Sequence, residues 1–180
     1  IGVRLVGSEM CIRDRHYIDK KIEKSLLDEM LSAANLAPSW KNSQTPRFYV
    51  ATGEKSKNAV REALPEFNRK NSENASAYIV TTVVLNRSGF DKDGTAVTEI
   101  GNGWGYYDLG LNNMALLLKA TELGISTLVM GIRDGEKLRK EFDIPETEAV
   151  VSVIVVGYTD SEIVRPKRKS VEDFAKFYED

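Results

Sequence analysis

Along the chain, apolar residues recur at helical spacing in some stretches and at strand spacing in others. Leu26, Leu27, Met30, Leu31 and Ala34 return every three or four positions, which predicts an amphipathic helix. Ser25-Leu26-Leu27-Asp28 has the form of a capping box at its start. Arg47 to Ala51 predicts a short strand, and Lys55 to Leu64 predicts a helix ended by Pro65. Tyr78 to Leu85 is rich in β-branched residues and predicts a buried strand. Residues 87–105 predict a long glycine-bearing loop, of a length usually tied to function or disorder. Asp108 to Leu123 predicts an apolar helix with Leu109, Met114, Leu117, Leu118 and Thr121 on overlapping faces, stopped by Gly124. A strand at Ser126–Met130 and a helix at Asp134–Phe142, closed by Pro145, follow. Val150 to Tyr158 is almost continuously apolar, as a central strand should be, and Ser170 to Tyr178 predicts a terminal helix. This mixture, without internal repeat or linker, predicts one α+β or α/β layer structure.

Composition narrows the chemistry. A formal net charge of −2 over 180 residues argues against nucleic acid or an anionic membrane as partner. The longest apolar candidate, Tyr106 to Ile132, is interrupted by Asp108, Lys119 and Glu122, so no membrane span is expected. A lone cysteine, Cys11, cannot form an internal disulfide, and a reducing, cytoplasmic setting is expected. With His16 the only histidine, a Ser-His-Asp triad or a Cys/His metal site is not expected. An enzyme of this composition would draw its difficult chemistry from an organic cofactor. Residues 1–15 show no usable period, and Ser8 to Arg15 resembles translated sequencing-adapter contamination. That segment is expected to be non-native or disordered, and residues 16–180 are expected to form one domain.

Three polar clusters stand out. Ala37 to Pro46 holds two prolines, two serines, an Asn, a Gln and a Thr between an apolar helix and an apolar strand. Neutral donors and acceptors on a proline-stiffened turn suit a flat polar ligand. A capped helix end with a solvated loop is the alternative. Phe67-Asn68-Arg69-Lys70 precedes a buried strand. Arg165-Pro166-Lys167-Arg168-Lys169 follows the last one and suits a phosphate monoester, unless it is simply a solvated basic run. Gly101-Asn102-Gly103-Trp104-Gly105 fails as a dinucleotide fingerprint, because its third glycine falls one residue early and no strand leads into it. Trp104, Tyr106 and Tyr107 either wall a pocket or pack on a helix end.

Ala37-Pro38-Ser39, Asn42 and Gln44, ending a first amphipathic helix, resemble the flavin-binding signature of the nitroreductase family. Asp108 to Gly124 is similar to that family's long central helix, Thr127 to Ile132 to its flavin-edge strand, and Val153 to Tyr158 with Pro166 to Lys169 to its closing strand and basic segment. The resemblance covers residues 16–180. It implies an α+β fold with a central mixed, mostly antiparallel sheet flanked by helices, and a long helix at a homodimer interface. It implies FMN as non-covalent cofactor and NAD(P)H as co-substrate. Pro38, Ser39, Asn42 and Gln44 would lie at the flavin, typically from the partner subunit, and Asn68 at its pyrimidine end. Met130 and Gly131 would present backbone near N5, and Arg168 with Lys169 or Lys167 would take the phosphate. Arg15 fits the last position of an Arg-x-Ser-x-Arg pattern, but Arg13 and Cys11 replace its Ser and first Arg. Trp40, Trp104 and Tyr106 are candidates for the pocket of a small-molecule acceptor. No side chain is expected to act as catalytic acid or base. The implied reaction is ping-pong reduction of nitroaromatics, quinones or related acceptors. The alternative is a non-catalytic protein of the same fold that sequesters or senses FMN.

Overall fold

The computed structural model describes residues 16–160 and 167–179. The strands β1 (Tyr17–Ile18), β2 (Pro46–Ala51), β3 (Ala77–Val84), β4 (Ser126–Met130) and β5 (Glu148–Thr159) form one sheet. Every described ladder is antiparallel. β5 is the axis: β3 pairs along one of its edges, while β4 and then β1 share the other. β2 lies beyond β3 at the outside of the sheet.

Because successive strand residues point to opposite faces, an apolar strand feeds two cores. Ala77 and Ile79 of β3, with Ile154 and Val156 of β5, meet Leu27, Met30 and Ala34 of α1 (Lys24–Asn35) and Leu116 and Ala120 of α4 (Gly103–Glu122). Tyr78, Val80, Val153 and Val155 face the other way. There they meet Val60 of α2 (Glu54–Glu62) and Leu138 of α5 (Gly135–Glu141). The result is three layers, helix on sheet on helix, with the α+β composition that the family resemblance implies.

Several elements depart from the periodicity. α1 begins at Lys24, capped by the Glu23 backbone, so Ser25 lies inside the first turn and caps nothing. Asp28 cannot complete the box because its carboxylate is held by Lys24 Nζ at 2.6 Å. Phe67 to Lys70 belongs to a short helix, α3 (Glu66–Lys70), which Pro65 starts. α4 starts five residues before Asp108, at Gly103. Gly105 makes this possible: a Cβ there would meet Val83 Cγ2 at 2.9 Å, so only glycine lets the helix lie this close to β3. The buried stripe of α4 is Leu109, Asn112, Leu116 and Ala120, whereas Met114 is on the outside. Gly124, at φ +70°, ends the helix as its sequence predicts.

The terminal helix does not form. Ser170 and Asp173 make a true capping box, but the helical stretch ends after Val171–Asp173. Phe174, Phe177 and Tyr178 are 71%, 76% and 83% exposed. A short helix whose apolar face is left this exposed does not propagate.

Candidate functional site

The turn between α1 and β2 carries unusual backbone strain. Lys41, Asn42 and Gln44 all have positive φ, at 46°, 55° and 48°. Such conformations cost about 1 kcal/mol or more per residue and persist only where surroundings impose them. Here the restraint comes from α4 and from the loop before it. Trp40 N donates to both carboxylate oxygens of Asp108 at 3.1 Å, and Ser88 Oγ donates to the same carboxylate at 2.6 Å. Lys41 pairs with Asp91 at 3.3 Å, and the Trp40 and Trp104 rings lie 4.6 Å apart. Gln44 N donates to Ser39 Oγ at 3.0 Å, closing the turn on itself. Trp40 Nε1, Ser43 Oγ and Thr45 Oγ1 are shielded from solvent without a hydrogen-bond partner.

Beside this turn lies a cavity of about 320 Å³, reached by Ser39, Gln44, Arg47, Asn112 and the apolar Leu31 and Phe48. Its polar edge consists of neutral groups plus Arg47, whose guanidinium donates to the Gln44 and Pro46 carbonyls at 2.8 Å. Pro38 and Asn42 are exposed beside it, and Gln44 Nε2 donates to Asn42 Oδ1 at 3.2 Å. This volume and this mixture of apolar wall and few polar groups are typical of small-molecule sites.

A second cluster forms where β4 ends. Met130 puts its side chain in the core, so only its backbone can serve a ligand. Gly131 is exposed, and a Cβ built on it would meet nothing within 4 Å. The two carbonyls after Met130 are tied back: Arg133 Nη1 donates to Gly131 O at 3.1 Å, and Asn68 Nδ2 donates to Ile132 O at 3.1 Å. Asn68 is buried, and Ser72 Oγ in turn donates to its carbonyl at 2.9 Å. Gly131 thus presents bare backbone at the end of β4, beside the 69% exposed side chain of Ile132, and the two carbonyls are held by Arg133 and Asn68.

The structure therefore sorts the candidate residues into two groups. Pro38, Ser39, Asn42 and Gln44 sit together, and so do Asn68, Met130 and Gly131. Neither Asn68 nor Gly131 lines the cavity beside Ser39. Trp40 and Trp104 pack against one another with their rings tilted by 45°, Trp104 Nε1 donates to Thr98 Oγ1 at 2.8 Å, and Tyr106 is 44% exposed. Arg168 and Lys169 are exposed on the segment that carries the Val171–Asp173 turn. Arg15 lies outside the described residues. Asp108, Arg47, Asn112 and Arg133 were not singled out for a site by the sequence. An acid interrupting the apolar run from Tyr106 was the signal available in the sequence for Asp108. A second buried carboxylate, Glu148, sits elsewhere on the sheet and accepts from Tyr49 Oη at 3.0 Å. Burial first, and then this contact, pushes the Tyr49 hydroxyl above its ordinary range.

The strained polar turn and the open backbone at Gly131 are the two places in this fold where a small ligand could be met. Among the described residues no helix is long and apolar enough to cross a membrane. The family model for the nitroreductase family matches residues 11–158, and the chain belongs to that family. A relative from Archaeoglobus fulgidus, provisionally described as an NADH dehydrogenase/NAD(P)H nitroreductase, is 28% identical over 155 residues, covering 82% of this chain and 80% of its own. A nitroreductase family protein from Streptococcus pneumoniae superposes with a TM-score of 0.82 at 20% identity, covering 98% of this chain and 99% of that one. Another from Clostridium difficile gives 0.76 at 22% identity, with 98% of each chain covered. The family, with the Archaeoglobus fulgidus relative, makes the chain an oxidoreductase.

Proposed function

We propose that this chain, as a homodimer, is an FMN-dependent NAD(P)H oxidoreductase that reduces small acceptors such as nitroaromatics and quinones. The single observation that carries the reading is the pinned, strained turn at Ser39–Gln44 beside its 320 Å³ cavity. Strain and unpartnered polar atoms concentrated in one short segment are the mark of a ligand site. The residues present fit FMN. The turn offers neutral donors and acceptors for a flat heterocycle, and the Gly131 ledge leaves the space that a ring edge needs. Lys167, Arg168 and Lys169 supply cations for a phosphate.

When bound, FMN would supply the hydride chemistry between NAD(P)H and the acceptor. The protein's part is binding, orientation and electrostatics. Ser39, Asn42 and Gln44 would hold one edge of the ring, with the Pro38 backbone setting the turn. The Met130–Gly131 backbone would sit at its other edge, steadied through Asn68. Arg168 with Lys169 would take the phosphate, and Arg15 is a further candidate there. Trp40, Trp104 and Tyr106 would shape the acceptor's approach. Residues 16–180 would act as a single FMN-binding domain.

The dimer reading rests on separation and on surface. Neither Asn68 nor Gly131 lines the cavity beside the turn, and a second copy would offer the other edge of each site. Tyr107, Leu111, Met114 and Leu118 recur at helical spacing on the outer face of α4 and are exposed or half-buried. An apolar stripe of that kind on a soluble helix marks an association surface. Dilution until light scattering reports monomer should release FMN over the same concentration range. A monomer that keeps its full FMN would contradict the shared site.

The activity itself is tested by steady-state kinetics. Initial rates with NAD(P)H at several fixed concentrations of a quinone should give parallel double-reciprocal lines, and removal of FMN should abolish them reversibly. FMN that binds tightly but supports no turnover with any nitroaromatic or quinone would instead mark a carrier or sensor.

A further inference from the structure

Arg133 grips the backbone on both sides of the β4–β5 edge. One of its terminal nitrogens donates to Gly131 O at 3.1 Å, and the other donates to Val150 O across the β4–β5 edge. Its Nε is shielded from solvent and has no partner. No salt bridge neutralises it among the described residues. A guanidinium stays charged at any working pH. The fold therefore places a half-buried positive charge, with no ion pair among the described residues, against the carbonyl of Gly131.

We propose that Arg133 is a positioning residue with an electrostatic role: it fixes the Gly131 peptide toward the cofactor and favours the reduced, anionic form of the flavin. This rests on the FMN reading above. Hydride transfer from NAD(P)H, which leaves as NAD(P)⁺, brings the ring two electrons and one proton. The ring thereby gains one negative charge unless a second proton follows. A fixed cation at partly desolvated range stabilises that charge and does little for the neutral oxidised ring. Reduced FMN is then held more tightly, relative to oxidised FMN, than Asn68 and the neutral turn residues alone would hold it. The expected preference is for an acceptor that takes electrons at a higher potential, such as a quinone.

Two variants separate charge from geometry. Arg133→Gln keeps a donor for the Gly131 carbonyl and removes the charge. Arg133→Lys keeps the charge and loses the two-pronged grip. The readout is the ratio of FMN affinity in the reduced and oxidised states, obtained from oxidised-state binding together with the midpoint potential of the bound flavin. R133Q should lower that ratio about tenfold or more, equivalent to a fall in potential of about 30 mV for a two-electron couple. R133K should keep the ratio within about threefold of the parent while weakening oxidised FMN binding. If R133Q leaves the ratio unchanged, or R133K falls as far as R133Q, the electrostatic role is overturned. R133K alone decides the matter if R133Q does not fold, because a tenfold fall in its ratio contradicts a charge-based effect. A parent chain that binds no FMN at all overturns the cofactor reading and the Arg133 assignment together, and so is distinct from either variant result.

Discussion

Replacing Asp108 by alanine is expected to destabilise the fold by about 3 kcal/mol and to weaken FMN binding at least tenfold. Asp108 is 2% exposed, and its carboxylate holds the Trp40 amide and the Ser88 hydroxyl. Both donors lose their acceptor when the side chain is cut back, and each buried donor left unpaired costs about 1–3 kcal/mol. Part of that cost is recovered, because Lys41, Asn42 and Gln44 are then free to leave their strained conformations. The recovery is what damages the site: the turn relaxes, and its donors no longer stand where a ring could meet them. Asp108→Asn keeps one acceptor oxygen and should fall between the two. Urea midpoints give the stability change, and hydrogen exchange at the Trp40 amide should accelerate more than exchange in β3. Unchanged exchange at Trp40 in the alanine variant would contradict this account of how the turn is held.

Gly131→Val should produce the opposite profile. Nothing lies within 4 Å of a Cβ at this position, and its φ is not in the left-handed region, so the apo-protein should keep its stability to within about 0.5 kcal/mol. The branched side chain would occupy the space over the ledge, and oxidised FMN should bind at least a hundredfold more weakly, from the loss of close contact along the ring edge. The two substitutions together separate a residue that holds the site from one that leaves room in it. FMN binding by Gly131→Val at parental affinity would place the flavin elsewhere.

Much of the fold is legible in the sequence because its signals are local. β4 and α5 lie where periodicity puts them, and the near-continuous apolar run of β5 announces a strand covered on both faces. The failures have specific causes. Gly103-Trp104-Gly105 reads as loop, yet Gly105 is there so that α4 can approach Val83. Ser25 and Asp28 have the spacing of a capping box, but an ion pair with Lys24 takes the acid away. Ser170 begins a helix whose apolar residues Phe174, Phe177 and Tyr178 are left exposed. For the site, the neutral turn at Pro38–Gln44 is visible as composition. What fixes it is not, since Asp108 lies 68 residues from Trp40. Arg133 is likewise hidden: as a residue it is an ordinary basic side chain after a strand, and only the approach of Val150 shows what it grips.

The most direct test of the account is an anaerobic titration of the purified protein, loaded with FMN, against NADH and NADPH. One FMN should be bound per chain, one equivalent of at least one of the two nucleotides should bleach its visible absorbance, and adding a quinone should return the colour. Bound FMN that neither nucleotide reduces, or a protein that takes up no FMN at all, would contradict it.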